Sequence, residues 1–315
     1  MNKRGFIQSM LTLATALMLS NGMAFAQSGA STPQAPKKVV ASFSILGDLV
    51  KNIARDRVQL TMLVGANGDA HVYSPTPNDA KTLSEADMVV INGLGFEGWI
   101  NRLMSASKSK AVRIVASEGI KPLKAKDDDH GHAHGHSHGA SDPHAWQNVM
   151  HVKTYVKNIR DALIKLDPEG RAVYESNAAS YSAQLDQLDA EIKAQVNALP
   201  AYRRRILTSH DAFAYFGTAY GLEMMSVQGV STDAEASAKD VASMINQIKK
   251  NRIPAIFVEN ISDPRLMDRI AKETGAKVGG KLYSDALSDA SGSASTYILM
   301  MRHNIKTLSE ALKAS

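Results

Sequence analysis

The stretch EGRAVYESNAASYSAQLDQLDAEIKAQVNAL, residues 169–199, contains no glycine or proline after Gly170. Tyr174, Ala178, Tyr181, Leu185, Leu188, Ile192 and Val196 recur along it at three- and four-residue steps. That spacing puts one apolar stripe on one face of a helix. Asp167 and Pro168 just before it supply a cap and a first-turn proline. Pro200 stops it, because proline cannot continue the backbone ladder. The spacing predicts one helix of about 30 residues, roughly 45 Å at 1.5 Å per residue. Few helices in a compact domain are that long, so the segment reads as a strut with a body on either side.

Both sides carry the same alternation. Before it, VVASF, VQLTMLVG, DMVVIN and AVRIVAS read as strands, separated by amphipathic runs such as ILGDLVKNIARD, NDAKTLSEA and FEGWINRLMSAS. After it, RRILTS, EMMSVQGV, PAIFVEN and AKVGGKLY alternate with AFAYFGTAY, AKDVASMINQIKKN and PRLMDRIAKETG, and a helix from residue 294 closes the chain. Strand and helix in strict exchange indicate βα units and mostly parallel sheets. The predicted architecture is α/β: two Rossmann-like lobes joined by a long rigid backbone helix. Residues 27–147 form the first lobe, 148–199 the helical connection and 200–315 the second lobe.

Residues 1–26 are set apart. Lys3 and Arg4, the apolar run MLTLATALML at 10–19 and the pattern Ala24-Phe25-Ala26 compose a cleavable secretory signal peptide. The apolar run is short for a membrane span, and no later segment is apolar for long enough, so a soluble periplasmic protein is expected. The formal charge of +5 falls by two without Lys3 and Arg4. No basic block remains that would suggest nucleic acid or a membrane surface. The chain has no cysteine. An exported chain of this kind has no disulfides, no thiol for a lipid anchor, and only histidines and carboxylates with which to build a metal site. A monomer is expected.

Five of the ten histidines, His130, His132, His134, His136 and His138, alternate with Gly, Ala and Ser in an acidic loop at 127–138. Small residues do not fix a backbone. These five suit weak, exchanging metal capture and not one defined shell. His71, His144, His210 and Asp285 are different. Each follows a predicted strand at its carboxyl end, the edge where open α/β sheets bind ligands. Two come from each lobe, so they can meet in the cleft between them. Three imidazoles and one carboxylate suit tetrahedral Zn2+, whereas Mn2+ prefers more oxygen. Taken singly, each of the four reads more readily as a polar loop residue; the shared edge makes them a candidate set. Asp142 and Glu259 are candidates to accept the second ring N–H of a ligating histidine. His151 and His303 read as ordinary helix residues. Free imidazoles titrate near about 6.5, so the ligands are expected to be neutral at pH 7, with binding weakened below about pH 6.

Four motifs in order, HVYSPTP (71–77), DPHAW (142–146), TSHDAFAYF (208–216) and LYSDALS (282–288), resemble the zinc/manganese solute-binding proteins of bacterial ABC importers. The resemblance covers essentially all of the chain after residue 26. It implies two α/β lobes on a rigid backbone helix, metal in the cleft, and ligands at His71, His144, His210 and Asp285. Manganese-type members typically place Glu where this chain has His210; zinc-type members place His, and often carry a His- and acid-rich loop. Some zinc-type members have a disulfide in the second lobe, which this chain lacks. The implied function is extracytoplasmic capture of Zn2+ and its delivery to an ABC permease in the inner membrane, with a periplasmic zinc metallochaperone as a possible donor. Manganese import is the alternative. A zinc hydrolase is a weaker one, since it needs an open fourth metal position and a general base, and HExxH is absent. An adhesin role finds no support in these residues.

Overall fold

The computed structural model describes residues 35–125, 141–233, 236–251, 253 and 255–313. The expected signal peptide at 1–26 and the histidine-rich stretch at 127–138 lie outside the described residues.

The first lobe runs β1 (Lys37–Phe43), α1 (Ser44–Ala54), β2 (Val58–Val64), α2 (Pro77–Ser84), β3 (Met88–Ile91), α3 (Ile100–Ser107) and β4 (Val112–Val115). Its four strands are all parallel, in the order β2-β1-β3-β4. The central strands are covered on both faces, so β3 is buried at every position and β1 at its last five. This explains why the apolar residues of β1 and β3 do not alternate with exposed polar ones.

Two helices follow, α4 (Val149–Leu166) and α5 (Arg171–Asn197). Asp167 Oδ2 fixes the turn between them, accepting from Arg57 Nε at 2.9 Å and Tyr174 OH at 2.6 Å. At 27 residues, α5 is about 40 Å long. All seven apolar positions of its stripe are buried, against α4, α1 and the last helix.

The second lobe repeats the first: β5 (Arg205–His210), α6 (Ala214–Tyr220), β6 (Glu223–Gln228), α7 (Ala238–Asn251), β7 (Ala255–Glu259), α8 (Pro264–Thr274), β8 (Lys277–Leu282) and α9 (Tyr297–Lys313). Its parallel order is β6-β5-β7-β8. In both sheets the order reverses between the two central strands, and that is where a crevice opens at the carboxyl edge. One apolar core runs from β1 through α4 and α5 to α9 and joins the lobes. A smaller one, including Leu207, Ile245, Ile256 and Met267, lies beneath α7 and α8.

The helix expected from Phe96 begins only at Ile100. Glu97 is turned inward and fully engaged: Oε1 accepts from Ser42 Oγ and Asn92 N, each at 2.6 Å, and Oε2 accepts from Gly93 N at 3.2 Å. Gly93, Leu94 and Gly95 reach that turn with positive φ, which keeps the segment out of a helix. Among the described residues, no helix is long and apolar enough to cross a membrane.

Candidate metal centre

His71 lies on the loop between β2 and α2, which is held at several points. Asp69 Oδ1 accepts from His71 N at 2.9 Å, and Trp99 Nε1 donates to Ala70 O at 2.8 Å. Thr76 and Asp79 form a capping box at the start of α2, with Pro77 in its first turn. Tyr73 OH donates to Asp79 at 2.8 Å. His144 is fixed in the same way as His71. Asp142, two residues earlier, accepts from His144 N at 2.9 Å. The two segments share the pattern Asp-x-His because a carboxylate at that spacing closes a tight side-chain turn on the backbone.

Trp146, fully buried, donates from Nε1 to Ser284 O at 2.9 Å, and Gln147 Nε2 donates to the same oxygen at 2.7 Å. These bonds bring Asp285 against the His144 segment. His210 ends β5 and Glu259 ends β7, the two strands that flank the reversal of the second sheet. Glu259 Oε1 accepts from His210 N at 2.8 Å.

The four candidate side chains converge. His71 Nε2 lies 3.2 Å from His144 Nε2 and 3.2 Å from Asp285 Oδ2. His210 Nε2 lies 3.1 Å from Asp285 Oδ2, and His144 Nε2 lies 3.6 Å from Asp285 Oδ1. All four ligand atoms fall within 4.8 Å of one another. His144, His210 and Asp285 are fully buried. Asp285 Oδ1 is buried without a hydrogen-bond partner, as an oxygen facing a cation can be. Asp142 Oδ1 sits 2.8 Å from His144 Nδ1, and Glu259 Oε2 sits 2.6 Å from His210 Nδ1. Each carboxylate thus turns the Nε2 of its imidazole toward the common point. Phe96 and Trp146 wall the site, their rings 4.6 Å from His71 and 5.2 Å from His144.

Without a cation the two fully buried imidazoles hold protons. Burial alone would push the His144 pKa down, but the carboxylates of Asp285 and Asp142 outweigh it and raise it to about 9. Burial opposes the charge of His210 too, yet Glu259 and Asp285 hold its pKa well above the ordinary value. Burial would raise Asp285, but the His144 and His210 imidazoliums keep it well below the carboxylate range. The His144 and His210 imidazoles are therefore not neutral at pH 7, contrary to what free histidine suggests. The site is a compact charge cluster in which a divalent cation would replace protons.

His151, on α4, places its ring 5.5 Å from that of Tyr215. His303, on α9, lies 2.9 Å from Ser293 Oγ and from Lys281 O. Neither belongs to the cluster. The sequence reading missed Asp69, although its Asp-x-His spacing was visible. It also missed Glu97 and Tyr215, whose roles depend on contacts with distant segments.

Residues 39–311 match the family model described as zinc-uptake complex component A periplasmic, ZnuA. The chain is 33% identical over 296 residues to the manganese-binding lipoprotein MntA of Halalkalibacterium halodurans, covering 94% of this chain and 95% of that protein. The structure superposes on the periplasmic zinc binding protein TroA of Treponema pallidum with a TM-score of 0.81 at 34% identity, covering 88% of this chain and 99% of TroA. A Mn-bound periplasmic metal binding protein from Candidatus Liberibacter asiaticus gives a TM-score of 0.78 at 31% identity, with the same coverage. The chain belongs to the ZnuA family of periplasmic metal-binding proteins. It is a substrate-binding component of a metal ABC transporter, a class that works with a membrane permease and an ATPase and catalyses no reaction of its own.

Proposed function

We propose that this chain captures Zn2+ outside the cytoplasm, in the periplasm, and hands it to its permease. His71, His144, His210 and Asp285 are the four ligands; Asp142 and Glu259 orient the two buried imidazoles. One observation carries this reading: His71 Nε2 lies 3.2 Å from both His144 Nε2 and Asp285 Oδ2, His210 Nε2 lies 3.1 Å from the same Oδ2, and the four side chains each offer one such atom within 4.8 Å of the others. A tetrahedron with zinc bonds of roughly 2.0–2.1 Å has edges of about 3.3 Å. An all-protein set of three nitrogens and one oxygen suits zinc better than manganese, which favours oxygen. Residues 1–26 act as the export signal, and the chain has no cysteine to carry a lipid. The loop at 127–138 gathers zinc or receives it from a metallochaperone.

Manganese is the second reading. MntA and the Liberibacter protein are described as manganese-binding or Mn-bound; the first aligns along nearly the whole chain and the second shares its fold. Elemental analysis of the purified protein, with competition of zinc against manganese at the core site, decides between the two. Retention of manganese in the presence of equimolar free zinc would refute the zinc assignment. A protein lacking 127–138 whose zinc affinity is unchanged by His210→Ala would refute the ligand set.

A further inference from the structure

Leu123 and Asp142 lie at the base of the segment that contains the histidine loop. Lys124 and Ser141 form an isolated antiparallel bridge there, and Asp142 N donates to Leu123 O at 2.9 Å. Tyr215, from the first turn of α6 in the other lobe, reaches into this base and is itself buried. Its hydroxyl accepts from Leu123 N at 3.0 Å and donates to Asp142 O at 3.0 Å. Burial raises the hydroxyl's pKa to about 12, so it keeps the proton it donates. The edge of His151 against the Tyr215 ring sets the ring's direction.

We propose that the Tyr215 hydroxyl is a positioning group of the metal site, clamping both strands of the loop base and, through Asp142, aiming the His144 imidazole. The backbone of Asp142 is held by Leu123 and Tyr215, while its side chain holds the Nδ1 and backbone N of His144. A shift of residue 142 therefore moves the imidazole with it. Metal–ligand bonds tolerate only about 0.2 Å of error, so a loosened base is felt at the ion. The same clamp makes the second lobe, by way of α6, a determinant of a first-lobe ligand. This proposal rests on the reading of His144 as a ligand.

The test is a mutant cycle on the full chain, with zinc affinity measured by chelator competition. Tyr215→Phe keeps the ring and removes the bridging oxygen; it should weaken zinc about tenfold. In an Asp142→Ala background the same change should weaken it no further, because its effect passes through Asp142. Independent, additive losses, or a lower melting temperature with unchanged affinity, would reduce Tyr215 to a structural residue and overturn the proposal. His144→Ala tests the parent reading separately: unchanged affinity there removes the ligand assignment whatever the cycle shows. In 15N-histidine spectra of the metal-free protein, the His144 Nδ1 proton should broaden or shift in Tyr215→Phe. Hydrogen exchange on the unaltered protein gives a reading that needs no variant. The Leu123 amide should gain at least about tenfold protection on zinc loading, by reciprocity of coupling, and unchanged protection overturns the proposal.

Discussion

Raising the pH from 7 to about 9 should tighten zinc binding steeply. A ligand must be deprotonated to bind. His144 is held at about 9 and His210 well above its ordinary value by Asp142, Asp285 and Glu259. At pH 7 a group titrating near 9 competes by about a hundredfold, or about 3 kcal/mol at 1.36 kcal/mol per unit. His210 adds a second proton to the competition. Log Kd should therefore fall by about two per pH unit around neutrality, and by less once His144 has titrated. The assay is chelator competition from pH 6 to 9.5 at constant ionic strength, with the chelator's own protonation accounted for. Calorimetry at pH 7 in buffers of different ionisation enthalpy should count about two protons released per zinc. A flat profile above pH 7, or no proton release there, would refute the reasoning. It would mean that the metal-free site relaxes until its imidazoles titrate near 6.5, as the sequence alone suggests.

The raised His144 pKa also bears on stability. Its ion pairing supports the metal-free fold fully below about 6.5 and is lost as pH rises through about 9; the melting temperature without metal should fall between pH 7 and 9.5, while that of the zinc-loaded protein should not. Asp48, which accepts from Tyr297 N and Asn52 between α1 and the start of α9, has its pKa pushed up to about 6, chiefly by burial. Its ionisation therefore costs stability as pH rises from about 4 through about 6, so Asp48→Asn should gain up to about 3 kcal/mol at pH 8 in urea unfolding and nothing at pH 4. Deleting 127–138 should leave one tight zinc per chain, because the four proposed ligands lie outside it, while lowering total stoichiometry and slowing stopped-flow transfer from a zinc-loaded donor; loss of tight binding would place a primary ligand in the loop.

The elements that could be read from the sequence are those whose burial is simple. β3 and β7 are central parallel strands covered on both faces, so a nearly bare apolar run marks them. On α5, one face is buried along the whole length, and the seven-residue stripe is its direct record. His210 and Glu259 stood out because each ends a strand that was itself legible. The start of α3 was not legible, since it depends on Glu97 meeting Ser42 and the backbone of Asn92 and Gly93, which no local pattern displays. The protonation state of the site was hidden for the same reason. It depends on Asp285 reaching both buried imidazoles, and Glu259 reaching His210, from distant segments, and a free-histidine pKa contains none of that.

How an ion reaches the cluster follows from what holds the lobes. One apolar core spans them through α5 and α9, and polar ties reinforce it. Trp146 and Gln147 hold Ser284, Ser44 Oγ accepts from Leu287 N at 3.0 Å, and Tyr297 OH donates to Trp146 O at 2.7 Å. Wide separation of the lobes would break all of these together with the shared core. Local motion breaks far less. Of the four converging side chains, only His71 lies in a residue that is not fully buried, and it borders a cavity of about 320 Å3 walled by Phe96, Pro143, Val230 and Asp233. Its loop meets the second lobe at Thr232, whose Oγ1 donates to Asp69 Oδ2 at 2.6 Å, and through Asn67, whose N donates to Leu287 O at 2.9 Å and whose side chain bonds Asp289 and Asn260, so its release breaks these few polar ties and no shared core. The least costly path to the site thus runs past His71: displacing that one loop exposes the cluster while His144, His210 and Asp285 stay on their carboxylate and backbone supports.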